Sequence, residues 1–378
     1  MAVNQFEVDV SDRELRELTA RLRSTRFVTP SDSAAWKAGV DPRWLEELCA
    51  YWADVFDWRA VESTLARYPQ FVADSAGGAL HFVHMRAASE TEQLPVVLLH
   101  GWPSTFVEML PLAERLADPA RFGLDASAAR DVVVPSLPGF LFSSLPDGAL
   151  TREQMARSVN RLMTADLGYR RYCAFGGDIG GTVAAWLGAA HSDSVAALHL
   201  IHPPYPASFD TPELTESERA FLEAEERYDE TDGGYSAIMI TRPDTVAAAL
   251  VDSPAGLAAW ISDKYRDWSD CGGDLERRFS KDDVLTAATL YWITGSIGTS
   301  MRQYYDYGHN RVRPRIDVPT GFTLSHEPSM KGFPRSIAER ACSRIVYWNE
   351  PQRGGHFLPH EEPDLLAADL IATFTDAH

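Results

Sequence analysis

A chain of 378 residues can hold one large α/β domain with an insertion, or two modest domains. Hydrophobic residues make up 45% and aromatics 11%, which supports a real core and argues against extensive disorder. A net charge of -19 with a pI near 5.0 disfavours nucleic acid or an anionic membrane as partner.

Cys49, Cys173, Cys271 and Cys342 are scattered singly, so neither a disulfide framework nor a zinc site is suggested, and no metal or cofactor is expected. No charged segment followed by an apolar run opens the chain, and no apolar run approaches the roughly 18 residues of a membrane span. A cytoplasmic protein is the default expectation.

In chain order, Ser11-Asp12-Arg13-Glu14 has the form of a capping box, with Leu15, Leu18 and Leu22 following on one helical face. Further helical patterns begin near Asp41 and at Phe56-Asp57-Trp58-Arg59. Residues 1–75 are therefore expected to form a helical arm against the main domain, its aromatics serving packing. From Leu80 the period changes. His81-Phe82-Val83-His84, Pro95-Val96-Val97-Leu98-Leu99 and Asp131-Val132-Val133-Val134-Pro135 read as strands, the second of them fully buried. Arg171 to Phe175 and Val195 to Ile201 continue the series, and strands alternating with helices predict a mostly parallel sheet. Residues 205–312 look helical, acidic and aromatic-rich, as a lid over the carboxyl edge of that sheet would. Strand character returns at Thr320 to Leu324 and Ser343 to Trp348, before a closing helix from Leu365 to Phe374. Residues 76–204 and 313–378 thus make the two parts of one core.

The chain is organised around Gly176-Gly177-Asp178-Ile179-Gly180-Gly181, which lies between a predicted strand and a predicted helix. Strand, tight turn with small neighbours, then helix is the pattern of a nucleophile elbow. A serine at the apex would suit acyl transfer, but the apex here is Asp178. A serine attacking saturated carbon would leave an ether that the enzyme could not hydrolyse. An aspartate leaves an alkyl ester, which activated water can cleave. The elbow therefore points to displacement at alkyl carbon, with an epoxide or a carbon–halogen bond as electrophile. The plainer reading, an Asp capping the following helix, is weighed against what the rest of the chain supplies.

Three further pieces fit the elbow. In His100-Gly101-Trp102-Pro103 a sharp turn can aim the Trp102 N–H beside that of Ile179, as an oxyanion hole requires. His356, in Arg353-Gly354-Gly355-His356-Phe357 after the last strand, can act as general base on water; it stands out among 11 histidines by position alone. An acid orienting it should follow the nucleophile and precede the histidine. Glu327 sits past the strand ending near Leu324, while Asp317 lies at the wrong end of that strand. Glu350 is an outside candidate, and Glu339 better serves a helix.

With these residues, and with Phe56-Asp57-Trp58-Arg59, Tyr68-Pro69-Gln70-Phe71, Pro135-Ser136-Leu137-Pro138-Gly139-Phe140, Trp268-Ser269-Asp270 and Gly354-Gly355-His356-Phe357 in order, the sequence resembles a known family along nearly its whole length. It looks like the α/β-hydrolase-fold epoxide hydrolases with an N-terminal helical extension, the microsomal-type group and its soluble bacterial and fungal relatives. The resemblance implies an α/β-hydrolase fold, no cofactor, a small epoxide substrate with water, and often a homodimer. It also implies two lid tyrosines on the epoxide oxygen, matched by Tyr235 in Gly233-Gly234-Tyr235 and by Tyr304 in Ser300-Met301-Arg302-Gln303-Tyr304, with Tyr305 the fallback. Phenols of this kind can donate to the alkoxide that ring opening develops, and then protonate it. The chain departs from the family in Ser104, in Leu324-Ser325-His326-Glu327, and in the 29 positions from Glu327 to His356. The expected reaction is hydrolysis of an epoxide to a vicinal diol through an ester on Asp178, in detoxification or in secondary metabolism. The competing readings are an alkyl-halide hydrolase, which needs no phenols, and a ligand-binding protein of the same fold without turnover.

Overall fold

The computed structural model describes residues 3–75, 77–209, 213–310 and 312–375. In chain order, β1 (Val3–Phe6) is followed by α1 (Asp12–Arg23), α2 (Pro42–Asp54), α3 (Trp58–Leu65), β2 (Gln70–Ser75) and β3 (Gly78–Met85). The Ser11–Glu14 capping box opens α1, and Asp41 and Asp57 side chains accept backbone N–H groups at the starts of α2 and α3. Then come β4 (Val96–Leu99), α4 (Leu110–Ala117), β5 (Val132–Pro135), α5 (Arg152–Arg161), β6 (Tyr172–Gly176), α6 (Asp178–Ala190) and β7 (Val195–Leu200). Every residue of β4, β5, β6 and β7 is buried, as apolar runs covered by helices on both faces demand.

Six helices leave the sheet after β7: α7 (Glu216–Asp232), α8 (Gly234–Thr241), α9 (Pro243–Asp252), α10 (Pro254–Trp268), α11 (Lys281–Thr294) and α12 (Ser296–Tyr305). The chain returns through β8 (Thr320–Thr323), α13 (Arg335–Ala341), β9 (Ile345–Asn349), α14 (Leu358–Glu361) and α15 (Pro363–Phe374). The strand order is β1-β2-β3-β5-β4-β6-β7-β8-β9, parallel from β5 to β9 and antiparallel from β1 to β5.

The N-terminal segment is more than a helical arm, because β1 and β2 extend the sheet at its antiparallel edge. β1 has only four residues with an exposed polar middle, too short for a strand period to show in the sequence. Among the described residues no single helix is long and apolar enough to cross a membrane. α9 and α10 reach that length only together, across a 118° bend.

Parallel pairing aligns the carboxyl ends of β4, β6, β7, β8 and β9 on one edge. The chain leaves these strands at Leu99, Gly176, Leu200, Thr323 and Asn349, and the residues that follow each of them converge there.

Candidate functional site at the carboxyl edge

Asp178 is the first residue of α6 and has a φ of 51°, in the left-handed region. A non-glycine residue rarely adopts this, and strain at such a point is the mark of an elbow that projects its side chain. Its neighbours are glycines for steric reasons. A Cβ at Gly180 would run into the Leu99 and His100 carbonyls, and one at Gly177 would sit 2.6 Å from Ile201 Cδ1. At Gly101 it would occupy the space of the Asp178 carboxylate itself. The close approach of β4 and α6 lets the Trp102 N–H donate to Asp178 Oδ1 at 2.9 Å. Ile179 follows in the first turn of α6, where N–H groups have no carbonyl partner inside the helix. The Trp102 donor thus borders the carboxylate, and the turn is held by His100, whose ring bridges Gly101 O (2.9 Å) and the Leu137 N–H (3.0 Å).

His356 comes from the loop after β9. Its backbone N–H donates to Trp268 O at 2.9 Å, and Gly355 is required because a Cβ there would lie 2.6 Å from the Asp270 nitrogen. The loop is tied to one buried carboxylate. Glu361 Oε2 accepts the N–H groups of Asp270 (2.8 Å) and Gly355 (3.0 Å), while Oε1 accepts that of Phe357 (3.1 Å). Glu327 Oε2 takes the His356 Nδ1–H in a short hydrogen bond, which leaves Nε2 as the basic nitrogen. Burial opposes charge on this imidazole, but Glu327, with lesser contributions from Asp178 and Glu361, outweighs it and raises the pKa above the ordinary 6.5. Burial likewise disfavours the Glu327 carboxylate, yet His356 and His202 hold its pKa well below 4.5.

The other acids weighed from the sequence are elsewhere. Asp317 is 72% exposed and 3.6 Å from Arg315, Glu339 accepts from Arg335 at 2.9 Å, and Glu350 accepts from the Trp348 indole at 2.7 Å.

Tyr235 (α8) and Tyr304 (α12) meet over Trp102, with ring centroids 5.7 and 5.9 Å from the indole and 6.2 Å from each other. Burial pushes both phenols above the ordinary 10.0, and the Asp178 carboxylate adds to the shift in each. They stay protonated, and so remain donors, throughout the neutral range. Tyr305 is exposed. Trp268, the last residue of α10, packs against His356 (4.9 Å) and Tyr235 (5.1 Å), linking the imidazole to the phenols.

A cavity of about 360 Å³ opens on Asp178 from the α6 and β7 side, lined by Trp186, His202, Tyr205, Tyr307 and others. Neither Tyr235 nor Tyr304 lines it, whereas Asp178 both lines the cavity and acts through its charge on the two phenols. Two lining residues escaped the sequence reading. Arg152 opens α5, where nothing in the capping-box pattern marks it as different from a surface arginine. His202 follows β7 at the same edge that singled out His356, so position could have found it. Its Nδ1 accepts the Asp178 backbone N–H at 2.6 Å, which leaves the proton on Nε2, 3.3 Å from Glu327 Oε2 and 3.2 Å from Ser325 Oγ. His202, Glu327 and His356 are the one group among the described residues whose donor atoms, all within 4.8 Å of one another, could hold a metal ion. Contacts within the cluster and with Asp178 already engage those atoms.

The family described as "Epoxide hydrolase N terminus" matches residues 3–109, and that described as "alpha/beta hydrolase fold" matches residues 95–228. A relative from Stigmatella aurantiaca is 36% identical over 375 residues, covering 98% of this chain and 84% of its own. "Epoxide hydrolase 1" of Sus scrofa is 30% identical, over 98% of this chain and 88% of its own. The structure of Aspergillus niger epoxide hydrolase superposes with a TM-score of 0.86 at 31% identity, covering 100% of this chain and 97% of that one. With its elbow aspartate, mostly parallel sheet and helical lid, the chain belongs to the α/β-hydrolase-fold epoxide hydrolases, enzymes that hydrolyse an ether bond.

Proposed function

We propose that the reaction runs in two half-steps, with Asp178 as nucleophile and His356 as base. In the first, an Asp178 carboxylate oxygen bonds to an epoxide carbon, and the carbon–oxygen bond of the ring breaks. The electron pair stays on the ring oxygen, which takes a proton from Tyr235 or Tyr304. In the second, His356 Nε2 removes a proton from water as the hydroxide adds to the ester carbonyl of Asp178. The oxyanion rests on the N–H groups of Trp102 and Ile179. Collapse of the tetrahedral intermediate breaks the acyl–oxygen bond, and the departing oxygen takes the proton held on His356. The proton left on the regenerated Asp178 carboxyl passes to the tyrosinate, so that the vicinal diol leaves an enzyme returned to its starting state.

One observation carries this reading: the carboxylate of Asp178, strained at φ 51°, accepts the Trp102 N–H beside an imidazole already polarised by Glu327. The group at the apex is a carboxylate, so the bond it forms to alkyl carbon is an ester that water can cleave. A single turnover in heavy-oxygen water tests it. The first diol should carry ordinary oxygen from Asp178, with the label entering the protein. His356→Gln should accumulate an adduct of substrate mass on the intact chain. Heavy oxygen in the first diol would mean direct attack by water and would end the proposal.

A further inference from the structure

Arg152 is 5% exposed, and its Nε and Nη1 are buried with no hydrogen-bond partner among the described residues. A guanidinium taken out of water without acceptors is costly, and folded chains rarely leave one so. This chain has 54 carboxylate residues against 35 Lys and Arg, so acceptors are not scarce. Arg278, for comparison, is paired with Asp270 and Glu362, both at 2.9 Å. Asp306, which accepts the Leu150 N–H two residues before Arg152 (2.7 Å), is paired with Arg302 (2.6 Å), and the acid whose charge reaches Arg152 is Asp178. The Arg152 backbone is fixed by its N–H to Asn310 Oδ1 at 2.9 Å, which anchors the side chain against the cavity wall.

That wall borders Asp178, and the Arg152 charge is felt by Asp178, Tyr304 and Tyr307. Arg313 lines the same cavity, its guanidinium 5.5 Å from the Tyr205 ring centroid. Apart from Asp178, the one acid among the lining residues is Glu225. It is capped by the Tyr205 hydroxyl at 2.6 Å, and burial raises its pKa. A cavity that gathers two guanidinium groups in a chain of net charge -19, one of them with no acceptor for Nε or Nη1 among the described residues, is prepared for an anion. A planar fork of N–H donors matches a carboxylate best, and one cation balances one negative charge.

We infer that Arg152 is an anion subsite and that the substrate is an epoxide bearing a carboxylate, bound with that group on the Arg152 fork. This deepens the epoxide reading and rests on it for the identity of the reacting group.

The test compares 3-phenyloxirane-2-carboxylate with its methyl ester in the wild type, Arg152→Gln and Arg152→Lys. The ratio of kcat/KM, acid over ester, should exceed roughly tenfold in the wild type, the scale of a desolvated charge-assisted hydrogen bond. It should fall towards one in Arg152→Gln and recover in part in Arg152→Lys. A ratio unchanged by Arg152→Gln, or near one in the wild type, would overturn the inference, because a residue that merely tunes Asp178 or Tyr304 moves both substrates together. Calorimetric titration of 3-phenylpropanoate against 3-phenylpropanamide reads the same subsite without turnover. The acid should bind about tenfold more tightly, with the difference lost in Arg152→Gln. Equal affinities would sink the subsite. If both oxiranes were inert while the acid still bound selectively, the epoxide reading would fail and the anion subsite would stand.

Discussion

In the proposed reaction His356 takes a proton from water, so it must be neutral when the water arrives, and its surroundings decide when that holds. Its pKa lies above the ordinary 6.5 because Glu327 and Asp178 favour the imidazolium more than burial disfavours it. Turnover limited by ester hydrolysis should therefore fall as pH drops through an ionisation higher than that of a free imidazole. In Glu327→Gln the strongest charge favouring protonation is gone, so this acid limb should move to lower pH while the plateau rate drops. Loss of the orienting acid costs up to about 10⁴-fold in comparable triads. A pH profile of kcat in which the limb stays where it was would remove Glu327 as the partner that sets the base. Residues of this kind are unequally legible in a sequence. Asp178 and His356 announce themselves because the backbone around them must approach other backbone closely, and only glycine permits that. Arg152 and His202 carry no such mark. What fails to pair with Arg152 only three dimensions reveal. The place of His202 just after β7 is a sequence signal that points to the edge but not to what it bridges.

The loop after β9 shows how an element, rather than a residue, presents the base. Three N–H groups, from Asp270, Gly355 and Phe357, converge on the Glu361 carboxylate, which is itself almost fully buried. One acid thus joins the end of the lid's α10 to the His356 loop, and the imidazole inherits its position from that junction. Glu361→Gln supplies one acceptor oxygen where two now serve three donors, so at least one buried N–H loses its partner. A stability loss of about 1–3 kcal/mol is expected on chemical denaturation. kcat should fall more steeply than KM rises if, as proposed, the displaced imidazole acts on an ester intermediate and not on substrate binding. Unaltered kcat with lowered stability would confine Glu361 to a packing role. At this scale β4 to β7 were readable as buried apolar runs and β3, β8 and β9 as strand-like stretches. Residues 205–312 read as a helical insertion, and α7 to α12 lie there between β7 and β8. β1 and β2 were not. Four residues with a polar centre, and six beginning at Gln70, form strands because an open sheet edge pairs with them, not because their own pattern demands it.

At the scale of the whole molecule, the N-terminal segment reaches two places at once, the sheet edge through β1 and β2 and the lid through its helices. Trp52 of α2 is 4% exposed and donates its indole N–H to Thr289 Oγ1 of α11 at 3.1 Å. Tyr51 donates to Asp282 at 2.9 Å, and Arg21 of α1 reaches Asp252 at 2.6 Å, at the end of α9. The exposed ion pair contributes little. The buried indole is the contact that matters, since it joins apolar area to a satisfied hydrogen bond. α11 in turn holds Tyr291, whose hydroxyl donates to Ser104 O at 3.1 Å in the turn that carries Trp102. The arm is thus coupled to the backbone donor on Asp178 through a single lid helix. Trp52→Ala should cost about 3–5 kcal/mol of stability, as removal of a buried tryptophan side chain does. Hydrogen exchange locates the effect. Amides of α11 should lose protection well before those of β6, because the lid opens as a unit while the parallel sheet keeps its own core. Equal loss in both would mean that the arm supports the domain as a whole and does not clamp the lid.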